Sequence, residues 1–356
     1  MWIELAGYVL TIILGLGVIY KFNTWKKYSS VITSEAYCVL MSIWFFLISG
    51  LRGFNMGADT PWYIQHFKST VSNGYQQDMF REIEIGYKWF EFGISLVTSS
   101  SQIFLLIIAG IVSVCIGTFI YENSKNVVWS FLGYYSLFFW FYGMTGIRQT
   151  LAAIILLFSY RFIKNRNLIL FIVCIVFAYL FHKSAVAFAP MYFLANKKLT
   201  KKYIVGMLMG FILCIILRQQ ILSILTNSFV TFAQDTYYSV YENTRFKTAN
   251  FTVLIALLTL GALLFKDKVI ASNAQALHYY NAMLFALLVS PTSLLRIVQY
   301  YSIFMIFLIP EVINEQREEH HRILMHYGAG LALILLSIKS VMGNSTIYPY
   351  YFFWQR

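Results

Sequence analysis

Arg148 is the residue that most calls for a chemical explanation. It follows Gly143-Met144-Thr145-Gly146-Ile147 and stands at the start of an otherwise apolar run, Thr150 to Phe158. A guanidinium at bilayer depth costs from about 2.5 to well over 10 kcal/mol unless it has a partner or a job. The two glycines can interrupt a helix, so the pattern predicts Arg148 at a helix N-terminus. There the backbone N–H groups and the helix dipole add to its positive potential. The chemistry is anion binding. Arg52 and Arg296 sit at comparable span ends. Arginine grips a diphosphate bidentately and never deprotonates. Asp59, Glu84 and His182 are the groups able to take a proton from an incoming hydroxyl. Gly57-Ala58-Asp59-Thr60-Pro61 predicts a tight turn into a short helix, with Thr60 as N-cap and Pro61 as first helical residue. That helix start is a second potential anion site.

Each of these residues also has an ordinary reading. A lone arginine at a span end is usually a snorkelling anchor, and Arg218 is read that way. Asp59 can serve only to cap a turn, Glu84 as a loop acid and His182 as a structural histidine. Tyr63 and Tyr87 fit interfacial aromatics as well as site residues. The four cysteines, Cys38, Cys115, Cys174 and Cys214, fall inside apolar runs without a C-x-x-C pair and read as small core residues. His320-His321 are adjacent, a poor spacing for two ligands on one helix face, so no metal site is assigned.

The elements that must position these groups are membrane spans. The chain has 356 residues, 59% hydrophobic and 12% charged. Soluble domains carry about 25% charge. Apolar runs occur at about 2–20, 33–51, 102–120, 127–143, 147–163, 168–181, 184–195, 203–220, 251–265, 277–292, 296–310 and 323–341. The expected fold is therefore all-α, a single polytopic membrane domain over residues 1–356. It has about 12 transmembrane or re-entrant helices, within a range of about 10–13. The first run is read as a retained span. Several runs are shorter than a full crossing, above all 168–181 and 184–195, which meet at Phe181-His182-Lys183-Ser184. That pair either crosses twice or dips in and returns.

The net charge of +12 would suggest nucleic acid in a soluble protein. Here it marks topology, and no nucleic-acid partner is expected. Loops 21–31, 121–126, 161–167, 196–202, 266–276 and 311–322 hold 15 of the 27 Lys and Arg and are assigned inside. The N-terminus, the long loops at about 52–101 and 221–250, and the C-terminal segment 342–356 fall outside. The segment 83–100 carries Lys88 and Glu91 and is read as interfacial or partly re-entrant. Arg52, Asp59, Glu84, Arg148, His182 and Arg296 then share the outer face. A lipid-borne diphosphate would satisfy both their charge and their depth.

The ordered pieces Arg52…Asn55-Met56-Gly57-Ala58-Asp59-Thr60…Tyr63…Phe67, Glu84-Ile85-Gly86-Tyr87, Gly146-Ile147-Arg148-Gln149…Ala152 and Phe181-His182-Lys183-Ser184-Ala185 with Pro190 and Tyr192 resemble the EpsG-like branch of the Wzy-type polysaccharide polymerases. The ending Tyr348-Pro349-Tyr350-Tyr351-Phe352-Phe353-Trp354 is similar too. The resemblance implies a multi-pass bacterial inner-membrane glycosyltransferase, similar to the family C membrane enzymes, with its site facing the periplasm and no cofactor. Its substrates would be undecaprenyl-diphosphate-linked oligosaccharides in the lipid bilayer, and a chain-length regulator protein is a further partner the resemblance allows. On this basis Arg148, helped by Arg52 and Arg296, holds the leaving diphosphate. Asp59 or His182 is the general base with Glu84 third, and Tyr63, Gln149 and Tyr87 contact substrate. The alternatives are a flippase of lipid-linked oligosaccharide, which needs charges through both leaflets, and a glycan ligase.

Overall fold

The computed structural model describes residues 33–75, 83–197, 201–217, 220, 223, 295–307, 310, 319–342, 346 and 349–355. The runs at 2–20, 251–265 and 277–292, the loop 221–250 and Arg218 lie outside them. Among the described residues the structure is helical, without strands; one isolated antiparallel bridge joins Arg52 and Phe352. The helices are α1 (Ser34–Gly50), α2 (Thr60–Asn73), α3 (Ile85–Ser95), α4 (Ser101–Asn123), α5 (Val127–Ser136), α6 (Phe139–Thr145), α7 (Ile147–Lys164), α8 (Leu168–Phe181), α9 (Met191–Leu194), α10 (Lys201–Ile216), α11 (Leu295–Ser302) and α12 (Glu319–Met342).

Start signals are local and clear. The Thr33, Ser100, Asn126 and Asn167 side chains accept backbone N–H bonds at the beginnings of α1, α4, α5 and α8. At 1.5 Å per residue α4 is about 35 Å long, enough for a hydrocarbon core of about 30 Å. Of the described helices, it is the one long and apolar enough to cross a membrane. The run 127–143 divides into α5 and α6 at Phe138, which adopts a left-handed φ of 70°. After α8 the chain does not return as a full helix. A six-residue 3-10 turn, Lys183–Phe188, and the four-residue α9 make the way back. Segment 83–100 contributes the 11-residue α3, about 16 Å and half a bilayer core.

Apolar side chains fill the core and also cover much of the outer surface. α1 exposes Val39, Leu40, Ile43 and Leu47, and α8 exposes Ile169, Val173, Val176 and Phe177. α3 exposes Ile85 and Trp89 while burying Lys88 and Glu91. Apolar surface turned outward and charge turned inward is the arrangement a lipid solvent favours. Close approaches set the packing. A Cβ on Gly50 would lie 2.8 Å from the Leu106 side chain of α4, and one on Gly86 would lie 2.7 Å from the Leu180 carbonyl oxygen of α8. The chain's last described segment returns to the end of α1. Gly53 N–H donates to Tyr351 O (2.8 Å), Phe353 N–H to Leu51 O (3.0 Å) and the Tyr350 hydroxyl to Ile48 O (2.6 Å).

Candidate functional site

The site forms where α1 ends, α7 begins and α8 ends. α6 stops at Thr145, and Gly146, with φ −97° and ψ 63°, separates it from α7. Such a break leaves helix carbonyls without intrahelical donors. The loop after α1 supplies those donors. Arg52 Nη2–H donates to Met144 O (3.1 Å), and the Thr60 hydroxyl donates to the same oxygen (2.8 Å). Asp59 N–H donates to the Thr145 hydroxyl (3.3 Å). Gly57, at φ +94°, lets the loop turn against Met144: a Cβ there would sit 3.0 Å from its carbonyl oxygen. The helix start differs by one residue from the sequence expectation. Asp59 is the N-cap of α2 and makes no side-chain capping bond; Thr60 is already helical, with Pro61 after it. The pull of Met144 O on the Thr60 hydroxyl explains the shift.

Arg148 is the second residue of α7. Its Nη1 is 2.5 Å from Glu84 Oε2, with the two side chains 19% and 8% exposed. Its backbone N–H and Nε–H both donate to the Tyr63 hydroxyl (3.5 and 3.4 Å), and its guanidinium lies 5.5 Å from the centroid of Trp62. Burial raises the Tyr63 pKa above its ordinary value, with Arg148 pulling the other way. The phenol therefore keeps its proton while accepting from Arg148. Glu84 uses both oxygens, since Oε1 accepts the Lys183 N–H at 3.1 Å. It ties the start of α7 to the end of α8.

His182 closes α8. Its Nδ1 faces the Ser184 N–H (3.3 Å) and the Ser184 hydroxyl (2.7 Å), and that hydroxyl meets the Tyr300 hydroxyl of α11 at 2.9 Å. Arg296 lies one helical turn before Tyr300 on α11; its side chain is outside the described residues. Gln149 is buried in α7 beside Arg148. Tyr87 is fully buried, edge-on to Tyr63 at 5.7 Å, and its hydroxyl has no hydrogen-bond partner among the described residues.

Arg52 departs from its expected place. It is 1% exposed, and its guanidinium bonds the carbonyls of Ser49 and Met144. Its Nε–H has no hydrogen-bond partner among the described residues. The sequence reading also passed over residues that complete the site. His66 pairs with Glu91 in the core between α2 and α3, with Thr70 3.4 Å from the same carboxylate oxygen. His66 stacks on Trp62 (5.5 Å, 23°), the ring under Arg148. Burial raises the Glu91 pKa, and His66 opposes that shift. The signal was present as helical spacing. Tyr63, His66 and Thr70 form one stripe on α2, and Glu84, Tyr87 and Glu91 form another along α3.

The model of the EpsG family matches residues 35–352. No curated protein and no solved structure matches the chain.

Proposed function

The chain belongs to the EpsG family, and from that premise we propose that it polymerises polysaccharide repeats carried on undecaprenyl diphosphate, at the periplasmic face of the inner membrane. The family associates the chain with membranes and with polysaccharide polymerisation; the carrier, the face and the chemistry are our reading. The observation that carries it is Arg148, buried at a helix start and held by Glu84, Tyr63 and Trp62. A cation fixed by three side chains is preorganised to receive charge that develops during a reaction. The growing polymer on its lipid diphosphate is the donor, and a hydroxyl of the terminal sugar on a new lipid-linked repeat is the acceptor. The acceptor oxygen bonds to the donor's anomeric carbon. The bond from that carbon to the phosphate oxygen breaks, and its electron pair leaves with undecaprenyl diphosphate. The hydroxyl proton goes to a base.

Asp59 is our assignment for that base. Glu84 is less suited, because both of its oxygens already accept hydrogen bonds, one from Arg148. Arg52 acts at one remove, fixing the Met144 carbonyl and so the break before Arg148. We assign Arg296 of α11 as a further diphosphate ligand, and Tyr87 and Gln149 as substrate contacts. Arg161 and Lys164 occupy the last turn of α7, roughly 25 Å from its start. They support assigning that far end to the cytoplasm and the Arg148 end to the periplasm. Functional charge gathered at one end favours a one-sided enzyme over a flippase.

The test is replacement of the chromosomal gene by Arg148→Ala. Loss of long polysaccharide with single repeats retained, at normal protein level in the membrane, is the expected result. Wild-type chain length would refute the assignment, and loss of all surface glycan would turn it toward a flippase or ligase.

A further inference from the structure

The aromatic run Tyr350-Tyr351-Phe352-Phe353-Trp354 has no part in the site described above, yet the fold holds it against the loop that builds that site. The bridge between Arg52 and Phe352 sets the two segments side by side. Gly53 N–H donates to Tyr351 O (2.8 Å) and Phe353 N–H to Leu51 O (3.0 Å). Arg52 in turn donates to Met144 O, at the break before Arg148. Beyond the bridge, a 3-10 turn over Phe353–Gln355 folds back on itself. Phe352 N–H donates to Gln355 Oε1 at 2.7 Å, and Gln355 N–H to Phe352 O at 3.0 Å. A backbone N–H can only donate, so the Gln355 carboxamide is held by its oxygen. Its NH2 group has no hydrogen-bond partner among the described residues. Trp354 lies flat on Phe352, with ring centroids 4.4 Å apart at 6°, and Phe353 meets it at 82°. Trp354 is still 58% exposed, more than half of its surface, so the stack on Phe352 uses one face of the indole and leaves surface on the other.

An exposed indole in a segment assigned to the outer side has an ordinary use as an interfacial anchor. That use needs depth but no particular neighbours. Trp354 has a ring beneath it that fixes its plane, and an amide with two N–H donors fixed in the same turn. A pyranose presents C–H groups on one face and hydroxyls round its rim. The negative face of an indole attracts the C–H groups, and a carboxamide NH2 donates to hydroxyl oxygens. We propose that Trp354, stacked on Phe352 and flanked by Gln355, binds a pyranose ring of the lipid-linked saccharide, beyond its diphosphate. This rests on the polymerase reading above. Trp354 and Gln355 touch the sugar, and Phe352 is a positioning residue that holds the indole. The bridge to Arg52 keeps the platform in register with the break before Arg148, so glycan and diphosphate are held by one connected framework.

The probe is the repeat oligosaccharide freed from its carrier by mild acid, which has neither diphosphate nor polyprenyl tail. Its binding to the detergent-purified full chain is titrated by saturation-transfer NMR. Trp354→Ala should weaken binding about tenfold. Trp354→Phe keeps an aromatic face and should stay within about threefold of the unmodified protein. Trp354→Leu keeps apolar bulk for a lipid surface but has no aromatic face, and should lose as much as Trp354→Ala. Gln355→Ala should weaken binding about fivefold, the loss of one hydrogen bond. When lipid-linked repeat extracted from a strain lacking the gene is supplied in proteoliposomes, the Trp354→Ala loss should fall on KM more than on kcat. Absence of saturable binding by the unmodified protein would overturn the proposal, as would equal binding by Trp354→Ala. Full binding by Trp354→Leu would also overturn it, making the ring a lipid contact. Should the Trp354 variants fail to insert, undiminished binding by Gln355→Ala would overturn it in their place. If Arg148→Ala still polymerises the extracted repeat, the polymerase assignment fails while the oligosaccharide binding result stands by itself.

Discussion

Removing the Glu84 carboxylate tests the site's geometry without assuming its function. Glu84 Oε2 and Arg148 Nη1 are 2.5 Å apart, and both side chains are largely removed from solvent. With charge centres about 4 Å apart and an effective dielectric near 20, the attraction is about 4 kcal/mol. Glu84→Ala leaves the arginine unpaired in this setting. Breaking one side of a buried pair costs about 3–5 kcal/mol, and the low end applies because Arg148 keeps a fifth of its side chain exposed. Arg148→Met leaves Glu84 with the Lys183 N–H as its remaining donor among the described residues and should cost about as much. The double variant has neither stranded charge. Its loss should fall short of the sum of the two by about 2 kcal/mol or more, a coupling of roughly thirtyfold. The assay is denaturant or thermal unfolding of the detergent-purified protein for all four members of the cycle. Additive losses would refute the pair as drawn. The double variant should make no long polymer.

Three further outcomes follow from the same contacts. Gly57→Ala forces a non-glycine residue to φ +94° with its Cβ 2.8 Å from the Thr60 hydroxyl, and should destabilise the protein by about 1–3 kcal/mol in the same unfolding assay. Gly86→Ala sets a Cβ 2.7 Å from Leu180 O, pushing α3 off α8 and lengthening the contact from Glu84 to Lys183; a misplacement of that order should slow polymerisation about a hundredfold, read as chain length in vivo and as rate in proteoliposomes. Asp59→Asn preserves the Asp59 N–H bond to Thr145 and should lower the rate about 10²–10⁴-fold with unchanged unfolding; normal polymer would move the base elsewhere.

What could be read in advance divides by the range of the interaction. Arg148 at a helix start was legible because its signals are neighbours: Gly146 before it and an apolar run after it. The membrane character was legible in the same way, from composition and run length. The one-residue shift at Thr60 was not, because the oxygen that captures its hydroxyl belongs to Met144, 84 positions away. Tyr300 escaped notice for the same reason, meeting Ser184 across 116 positions. His66 and Glu91 are a different case. Their spacing with Tyr63 and Glu84 was visible, but an apolar-run search treats such positions as interruptions, and it takes the packing of α2 on α3 to turn two stripes into one buried pair.

Arg52 shows what a fuller use of the sequence would have required. Local reasoning counted it with Arg148 as a second anion ligand, since both are arginines at span ends. Yet a helix broken to free the N–H groups before Arg148 must also end a preceding helix, and that end exposes carbonyls with no donor. In a lipid-facing protein those carbonyls have little water to turn to. A buried arginine, with five donors and no acceptor, is the side chain best equipped to meet them. Arg52 does so at Met144 while Arg148 stands on the far side of Gly146. The two arginines are therefore complementary consequences of one break, one answering the oxygens it strands and the other standing among the N–H groups it frees.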